Sequence, residues 1–393
     1  MTEQKYNAKR LFLMSTIALV VTAMTFAIRT QLENVWRTDF ELTYKMIGIV
    51  MGPAFLGFTL AQFIGGPFVD LLGMKKFMRI AFFLHVIGIG LTIFAFDFWS
   101  LFVGTLFIGV GNGSVEAACN PLVTTLFPND KAKMLNRFHV WFPGGIVIGS
   151  LLSYLVMDIL GWDWPILVAL LVIPLATYGI LMMGQKFPKT ERVEMGVSYG
   201  GMWKAILQPL FLIMLFAMLL SSATELTTNQ RMSSLLLDTG TAPILVLAFI
   251  NGIMAVGRGF AGPLINKINT TGMLFFSAVV SMIGLLLMSY FSGAVATYLA
   301  AAVFAIGVCF FWPTMLGFLS EKMPETGALG LSIFGGAGML STSIFLPISG
   351  AFSDAGATGV EILRYTAVLP AILIVLFAVV FSTMLKKKKP IAQ

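Results

Sequence analysis

Charged residues are scarce in this sequence. Asp, Glu, Lys and Arg together make up 11% of its 393 residues, whereas an ordinary soluble domain contains about 25%. A chain of this length with so few charges cannot cover a surface that faces water, and 58% of its residues are apolar. Lipid must therefore be its solvent, and a lipid bilayer is the first partner that the sequence implies.

Cysteine is rarer still, and Cys119 and Cys309 stand singly inside apolar runs. Two isolated thiols form neither a disulfide framework nor a metal site. The glycine clusters at 109–113 and 335–338 also lie in apolar runs, without the strand that precedes a phosphate-binding loop. Because the sequence shows no nucleophile constellation and no nucleotide-binding domain, we expect no enzyme, no cofactor, no metal and no direct use of ATP.

Long apolar runs are what the sequence does contain. A helix of about 20 apolar residues crosses the hydrocarbon core of a bilayer. Twelve such runs predict an all-α membrane protein with 12 transmembrane helices, the first of them retained because no small-residue cleavage site follows it. The runs lie at about 11–32, 44–69, 80–96, 100–127, 137–157, 165–183, 205–229, 241–264, 271–291, 295–319, 328–349 and 361–384.

The distribution of basic residues predicts the orientation. Of the 25 Lys and Arg residues, 19 lie at the termini and in the connections that follow even-numbered helices. Four lie in the other connections, and Arg29 and Arg258 lie within apolar runs. By the positive-inside rule both termini are predicted to be cytoplasmic. Because the basic residues sit at helix ends, the net charge of +7 does not predict a nucleic-acid partner.

The two halves of the sequence resemble each other. The segment 66–70, with Gly-Pro at its start and Asp at its end, recurs 196 residues later as 262–266, with Asn at its end. Pro128 recurs as Pro324 at the same offset. An internal repeat of this size predicts two pseudo-symmetric six-helix halves. The predicted divisions are a first half at 1–184, a cytoplasmic linker at 185–204 and a second half at 205–393.

The stretch from Gly66 to Lys76, GPFVDLLGMKK, resembles the cytoplasmic signature of the major facilitator superfamily. That signature reads Gly, three residues, Asp, two residues, Gly and then basic residues. The residues that carry the resemblance are Gly66, Asp70, Gly73, Lys75 and Lys76. Together with the repeat, it implies the major facilitator fold, in which two halves give alternating access to a central solute site.

A second stretch, from Glu116 to Val123 (EAACNPLV), looks like the fourth-helix motif of the fucose/glucose/galactose proton symporter family. The following Leu135-Asn136, with His139 three residues further on, is similar to the start of that family's fifth helix, where a Gln stands in place of the His. The resemblance implies proton-coupled sugar transport, a solute site that includes Asn120, Asn136 and His139, and a functional carboxyl at Glu116.

Polar residues inside membrane helices are costly, so each one suggests a function. Asn112, Glu116 and Asn120 are spaced four residues apart and share one face of the fourth helix. Amides and a carboxyl on one face suit a solute rich in hydroxyl groups, while hydrogen bonding between helices is the alternative for the two Asn residues. Burial disfavours the charged form of Glu116, which is predicted to carry the transported proton.

Charged residues within apolar runs form a second set. Arg29 and Glu33 are four residues apart and could pair on the first helix. The offset of 196 residues relates Arg29 to Glu225, so these two are predicted to face each other across the central cavity. Arg258 shares a face of the eighth helix with Asn251, with snorkelling to the membrane surface as the alternative. The predicted gating or ion-pair residues are Arg29, Glu33, Glu225 and Arg258.

Further amides and aromatic rings complete the predicted solute site. An aromatic ring beside amides is a common way to hold a sugar, because the apolar face of the sugar packs on the ring. The predicted solute-binding residues are Gln31, Asn112, Asn120, Asn136, His139, Trp141, Asn229, Asn251 and Trp312.

These patterns predict a symporter for a sugar or related polyhydroxy solute in the cell (inner) membrane, acting as a monomer and coupled to H⁺ rather than Na⁺. Two transporter alternatives remain open. Arg29 and Arg258 suit an organic-anion or sugar-acid carrier, and 24 Met and 35 Phe residues suit the adaptable cavity of a drug–proton antiporter. A membrane enzyme or a receptor is disfavoured by the two-half repeat and the missing catalytic cluster.

Overall fold

The computed structural model describes residues 6–129, 131–189, 199–237, 240–259 and 261–387. Within these ranges the chain is helical, and no strand occurs. Eleven of the described helices are long and apolar enough to cross a membrane, and the shorter apolar helix Pro243–Arg258 makes a twelfth. The predicted all-α architecture with 12 membrane helices is confirmed.

The first half comprises helices α1 to α6. They run Ala8–Asp39 (α1), Tyr44–Leu72 (α2), Met74–Ile93 (α3), Phe98–Leu126 (α4), Arg137–Ile159 (α5) and Trp164–Met182 (α6). Helix α5 continues from the short helix Lys131–His139 and ends in a π-helical turn, Tyr154–Ile159.

The second half comprises helices α7 to α12. They run Pro209–Gln230 (α7), Pro243–Gly259 (α8), Ala261–Tyr290 (α9), Ala294–Leu319 (α10), Gly327–Asp354 (α11) and 359–387 (α12). Shorter helical segments lie at Tyr199–Ile206 before α7, at Met232–Leu235 between α7 and α8, and at Pro324–Thr326 before α11.

Local sequence signals set several helix ends. Gly73 adopts φ +81, a backbone conformation that favours glycine, and so separates α2 from α3. Asp97 caps α4, and its side chain exchanges hydrogen bonds with Ser100 in a capping box. The hydrogen bonds from Ser100 hold the pKa of the half-buried Asp97 carboxyl below its ordinary value.

Two helix starts differ from the apolar runs of the sequence. Helix α3 begins at Met74 rather than at 80, because its first turns carry Lys75, Lys76 and Arg79 and are helical without being apolar. Helix α7 begins at Pro209 rather than at 205, since Pro fits the first turn of a helix, where its missing N–H is not needed.

The two halves meet along three helix pairs. Helix α2 packs along α11, α5 packs along α8, and α1 contacts the last turn of α7 and the segment Met232–Leu235. Gly350 of α11 lies so close to Tyr44 of α2 that a Cβ at position 350 would collide with the Tyr44 carbonyl. Small residues allow this close approach of helices in a membrane.

Residues 6 and 387, the first and last that the structure describes, lie on one side of the bundle, because the chain between them crosses it an even number of times. We call this side the terminal end and the opposite side the far end. At the terminal end the Arg10 side chain, near the start of α1, donates a 2.9 Å hydrogen bond to the Leu181 carbonyl near the end of α6. Lys75 donates a 2.6 Å hydrogen bond to the Gln185 carbonyl just after α6.

Candidate functional site

An ion pair between the halves closes the far end of the bundle. Glu33 of α1 forms a 3.1 Å salt bridge with Arg231, just after α7, and accepts a 2.9 Å hydrogen bond from the Ser234 hydroxyl. The Glu33 and Arg231 side chains are 0% and 1% exposed. Separating the halves here would leave both charges unpaired, so the pair favours the state that is closed at the far end.

A helix cap between α11 and α2 adds to this closure. Asp354, the last residue of α11, accepts hydrogen bonds from the backbone N–H groups of Tyr44 (2.7 Å) and Lys45 (2.8 Å) in the first turn of α2. A carboxylate is favourable at a helix N-terminus. Arg231 donates a 2.9 Å hydrogen bond to the neighbouring Ser353 hydroxyl, which links the cap to the ion pair.

A layer of uncharged hydrogen bonds lies one turn deeper. The Gln230 amide donates to the Phe26 carbonyl (3.1 Å) and to the Thr30 hydroxyl (3.0 Å). The Thr30 hydroxyl lies 3.2 Å from the Asn229 carbonyl and donates to it. These bonds hold α7 against α1 directly beneath the ion pair.

The far-end part of α7 is polar and buried. Every residue from Ser221 to Gln230 is buried, and the segment Ala223–Thr227 forms a π-helical turn, a rare conformation that is frequent at functional sites. Several oxygens of this segment have no hydrogen-bond partner among the described residues: those of the Ser222, Thr227 and Thr228 hydroxyls and of the Asn229 and Gln230 amides. Such atoms need a partner within a membrane, so this segment belongs to the candidate site.

Charged and polar residues of both halves meet deeper in the bundle. In the second half, Arg258 of α8 lies 3.9 Å from the Glu225 carboxylate of α7 and donates a 3.2 Å hydrogen bond to the Cys309 carbonyl of α10. In the first half, a 3.0 Å hydrogen bond joins His139 of α5 to the Asn120 amide oxygen of α4. Helices α5 and α8, which carry His139 and Arg258, pack along each other at the interface between the halves. We call Asn120, His139, Arg258 and Glu225 the cross-half cluster.

Glu116 lies one turn from this cluster on α4. It is 8% exposed, and no described side chain makes a hydrogen bond with it. Trp141, at the start of α5, is 41% exposed, and Trp312 of α10 packs against Gly338 of α11.

Three predicted solute-binding residues have hydrogen-bond partners outside the cross-half cluster. Asn112 is fully buried and bonds to His85 (2.9 Å) and to Thr25 (3.0 Å), two turns away from Asn120. Gln31 bonds to Asp158 of α5 at the far end (3.0 Å), and Asn251 bonds to the Leu247 carbonyl within its own helix (3.0 Å). The predictions for Gly66, Asp70 and Asn136 concern side-chain positions outside the described part of the structure.

The predicted pairing of Arg29 with Glu225 is wrong in this structure. Glu225 pairs with Arg258, and Glu33, the other predicted neighbour of Arg29, pairs with Arg231. The reason is the depth and rotation of the helices: positions related by the repeat need not face each other. Arg29 instead lies over the rings of Phe26 and Phe55.

Sequence reasoning missed the residues that close the far end. Arg231 is one of the four basic residues that lie in connections after odd-numbered helices, yet it is fully buried, because the segment Met232–Leu235 folds back against α1 and α8. Gln230 and Asp354 belong to none of the motifs or repeats of the sequence. One signal was available: Asp354 is an acidic residue at the end of an apolar run, as Asp97 is next to one.

Twelve apolar helices in two halves, joined by polar contacts and holding ionisable groups between them, define a membrane transporter rather than an enzyme. Residues 11–328 match the family model of the Major Facilitator Superfamily. The chain belongs to this superfamily.

Individual relatives are distant. The chain is 25% identical over 158 residues to the hexuronate transporter of Bacillus subtilis (strain 168), a match that covers 40% of this chain and 36% of that protein. The chain thus spans about a third of the length of the curated relatives it matches.

Solved structures show the same fold. The structure of the nucleoside transporter NupG matches this one with a TM-score of 0.78 at 14% sequence identity. The match covers 94% of this chain and 100% of the NupG chain. The structure of the fucose:proton symporter FucP of E. coli matches this one with a TM-score of 0.65 at 17% sequence identity. The match covers 95% of this chain and 99% of the FucP chain.

Proposed function

We propose that the chain carries a sugar or related polyhydroxy solute across a cell membrane together with protons, by alternating access of its two halves. The cross-half cluster is the observation that carries this proposal. Asn120 and His139 come from the first half, and Arg258 and Glu225 come from the second. A solute bound among them would contact both halves, so its binding would be coupled to their relative motion.

The chemistry of the candidate site suits hydroxyl groups. The amides of Asn120, Asn229 and Gln230 and the hydroxyls of α7 offer both donors and acceptors, as a polyhydroxy solute requires. Trp141 and Trp312 offer rings for the apolar face of a sugar. The structural similarity to a fucose:proton symporter supports the same solute class.

Glu116 is the proposed proton carrier. Its carboxyl is buried and lies within one helical turn of Asn120, and no described cation pairs with it. A carboxyl without a cation partner gains little from ionisation, so it can take up a proton when the site opens to an acidic side. Protonation would remove the charge and ease closure of the halves around the solute.

The closed far end corresponds to one state of this cycle. We place the terminal end, with both termini and the linker 185–204, in the cytoplasm of a cell whose inner membrane holds the protein as a monomer. The far end then faces outward, and opening it requires breaking the contacts of Glu33 and Asp354 with the other half. The solute would be released to the cytoplasm from the state described by the structure.

Uptake into proteoliposomes tests the proposal. A panel of labelled neutral sugars, sugar acids and nucleosides is offered with and without an inwardly directed proton gradient. We expect a sugar or sugar acid to accumulate only with the gradient, and Asn120→Ala to weaken its binding by about 1–2 kcal/mol by leaving a polar group unpaired. Accumulation of nucleosides alone, or equal uptake without the gradient, would overturn the proposal.

A further inference from the structure

Arg29 is a buried cation for which the described structure offers no anion. The residue is 2% exposed, and none of its three guanidinium nitrogens has a hydrogen-bond partner among the described residues. The guanidinium carbon lies 4.8 Å from the Phe26 ring centre and 5.4 Å from that of Phe55. Aromatic rings attract a cation, but they leave its N–H groups unsatisfied, which is strongly disfavoured in a buried site.

The carboxylates nearest to Arg29 in sequence or by the repeat are already engaged. Glu33, one turn along α1, is bonded to Arg231 and Ser234. Glu225 lies beside Arg258. Because no described residue bonds to its guanidinium, Arg29 is available to an anion from outside the chain.

Arg29 lies on the inner side of the closed far end. Helical side chains lean toward the N-terminus of their helix, so the guanidinium lies over Phe26, beneath the hydrogen bonds that join Thr30 to α7. This is the inner side of the far-end closure. The neighbouring segment of α7 carries the hydroxyl and amide oxygens that lack partners among the described residues.

We propose that Arg29 binds the carboxylate of the transported solute, which makes the solute a sugar acid. A guanidinium can donate two parallel hydrogen bonds to one carboxylate, and this bidentate pairing is stronger than a hydrogen bond between neutral groups. The hydroxyls of the sugar acid donate to the oxygens of α7. The inference rests on the proposed function, because it specifies one chemical group, a carboxylate, of the polyhydroxy solute proposed above.

Matched pairs of sugars test this assignment. D-galacturonate and D-galactose, and likewise D-glucuronate and D-glucose, differ in having a carboxylate or a CH₂OH group at carbon six. Binding of each is measured on the purified full chain, and counterflow is measured in proteoliposomes. We expect the wild type to bind the acids more tightly than the neutral sugars.

The variants are Arg29→Met, which removes the positive charge, and Arg29→Lys, which keeps the charge but cannot form the bidentate pair of hydrogen bonds. Arg29→Met should weaken binding of the acids by about 100-fold while leaving neutral sugars unchanged, as expected when one partner of a buried charge pair is lost. Arg29→Lys should fall between the two. Thermal stability without solute should not fall in Arg29→Met, because the substitution removes an unpaired buried charge.

Arg37→Met is the matched control, since Arg37 also lies on α1 over a ring, that of Tyr44, but at the far end. It should leave the preference for acids intact. A wild type that binds neutral sugars and not the acids would overturn the assignment of Arg29 while keeping the proposed function. Equal losses for acids and neutral sugars in Arg29→Met would also overturn it. Binding of neither class would contradict the proposed function itself.

Discussion

At the scale of single residues, Asn112 shows how a polar side chain in a membrane helix can serve packing. Its amide donates to the Thr25 hydroxyl of α1, and its oxygen bonds to His85 of α3, whose other ring nitrogen bonds to the Tyr178 hydroxyl of α6 (3.0 Å). All four residues are buried, so the network ties four helices of the first half together.

Replacing Asn112 should cost stability rather than transport. Asn112→Leu leaves one ring nitrogen of His85 without its partner and removes the donor to the Thr25 hydroxyl, so it should lower the free energy of unfolding by about 1–3 kcal/mol. The double variant His85→Leu with Asn112→Leu should lose less than the sum of the two single losses. Thermal unfolding in detergent measures both. Unchanged stability together with lost solute affinity would return Asn112 to the solute site.

The sequence singles out charged residues within apolar runs, but it does not define how they pair. Arg29, Glu116, Glu225 and Arg258 stand out because a charge within an apolar run is costly wherever it lies. Their partners depend on helix rotation and depth, which the 3.6-residue period does not define between helices. Asn120 and His139 are joined by a hydrogen bond, whereas Arg29 has no hydrogen-bond partner among the described residues.

At the scale of helices, the cap of α2 by Asp354 should help set the equilibrium between states. Asp354→Asn removes a charge from the contact between halves and should favour opening at the far end. Spin labels on the exposed residues Glu41 and Ala355 report the separation of α2 and α11. We expect the distance distribution to shift toward longer values in the variant.

The control for this shift is Asp97→Asn. Asp97 also caps a helix at the far end, but its bonds with Ser100 lie within one half. The substitution should therefore leave the distance distribution unchanged. If both variants shift it equally, or neither does, the cap of α2 does not hold the halves together.

Helix number was predictable because hydropathy reports directly on what crosses lipid. Helix ends were less so, since a helix can continue into water, as α3 does through Lys75 and Arg79. Helix α7 begins at Pro209 because Pro fits the first turn of a helix. The apolar run of the sequence starts earlier, so hydropathy alone does not show this helix start.

At the scale of the whole molecule, the charge distribution predicts that the terminal end is cytoplasmic. A Cys at Lys189 should react with an impermeant thiol reagent only after cells are permeabilised, whereas one at Glu41 should react in intact cells. Cys119 and Cys309 are buried and give little background. Labelling of position 189 in intact cells would show that the predicted orientation is wrong.

The coupling of solute to protons is the central claim, and Glu116 carries it. Glu116→Gln imitates a permanently protonated carboxyl, so the halves can still close around the solute without moving a proton. The direct measurement compares exchange with accumulation driven by a pH gradient, both in proteoliposomes. We predict that the variant keeps solute exchange and loses accumulation. Gradient-driven accumulation at the wild-type level in Glu116→Gln would contradict the account.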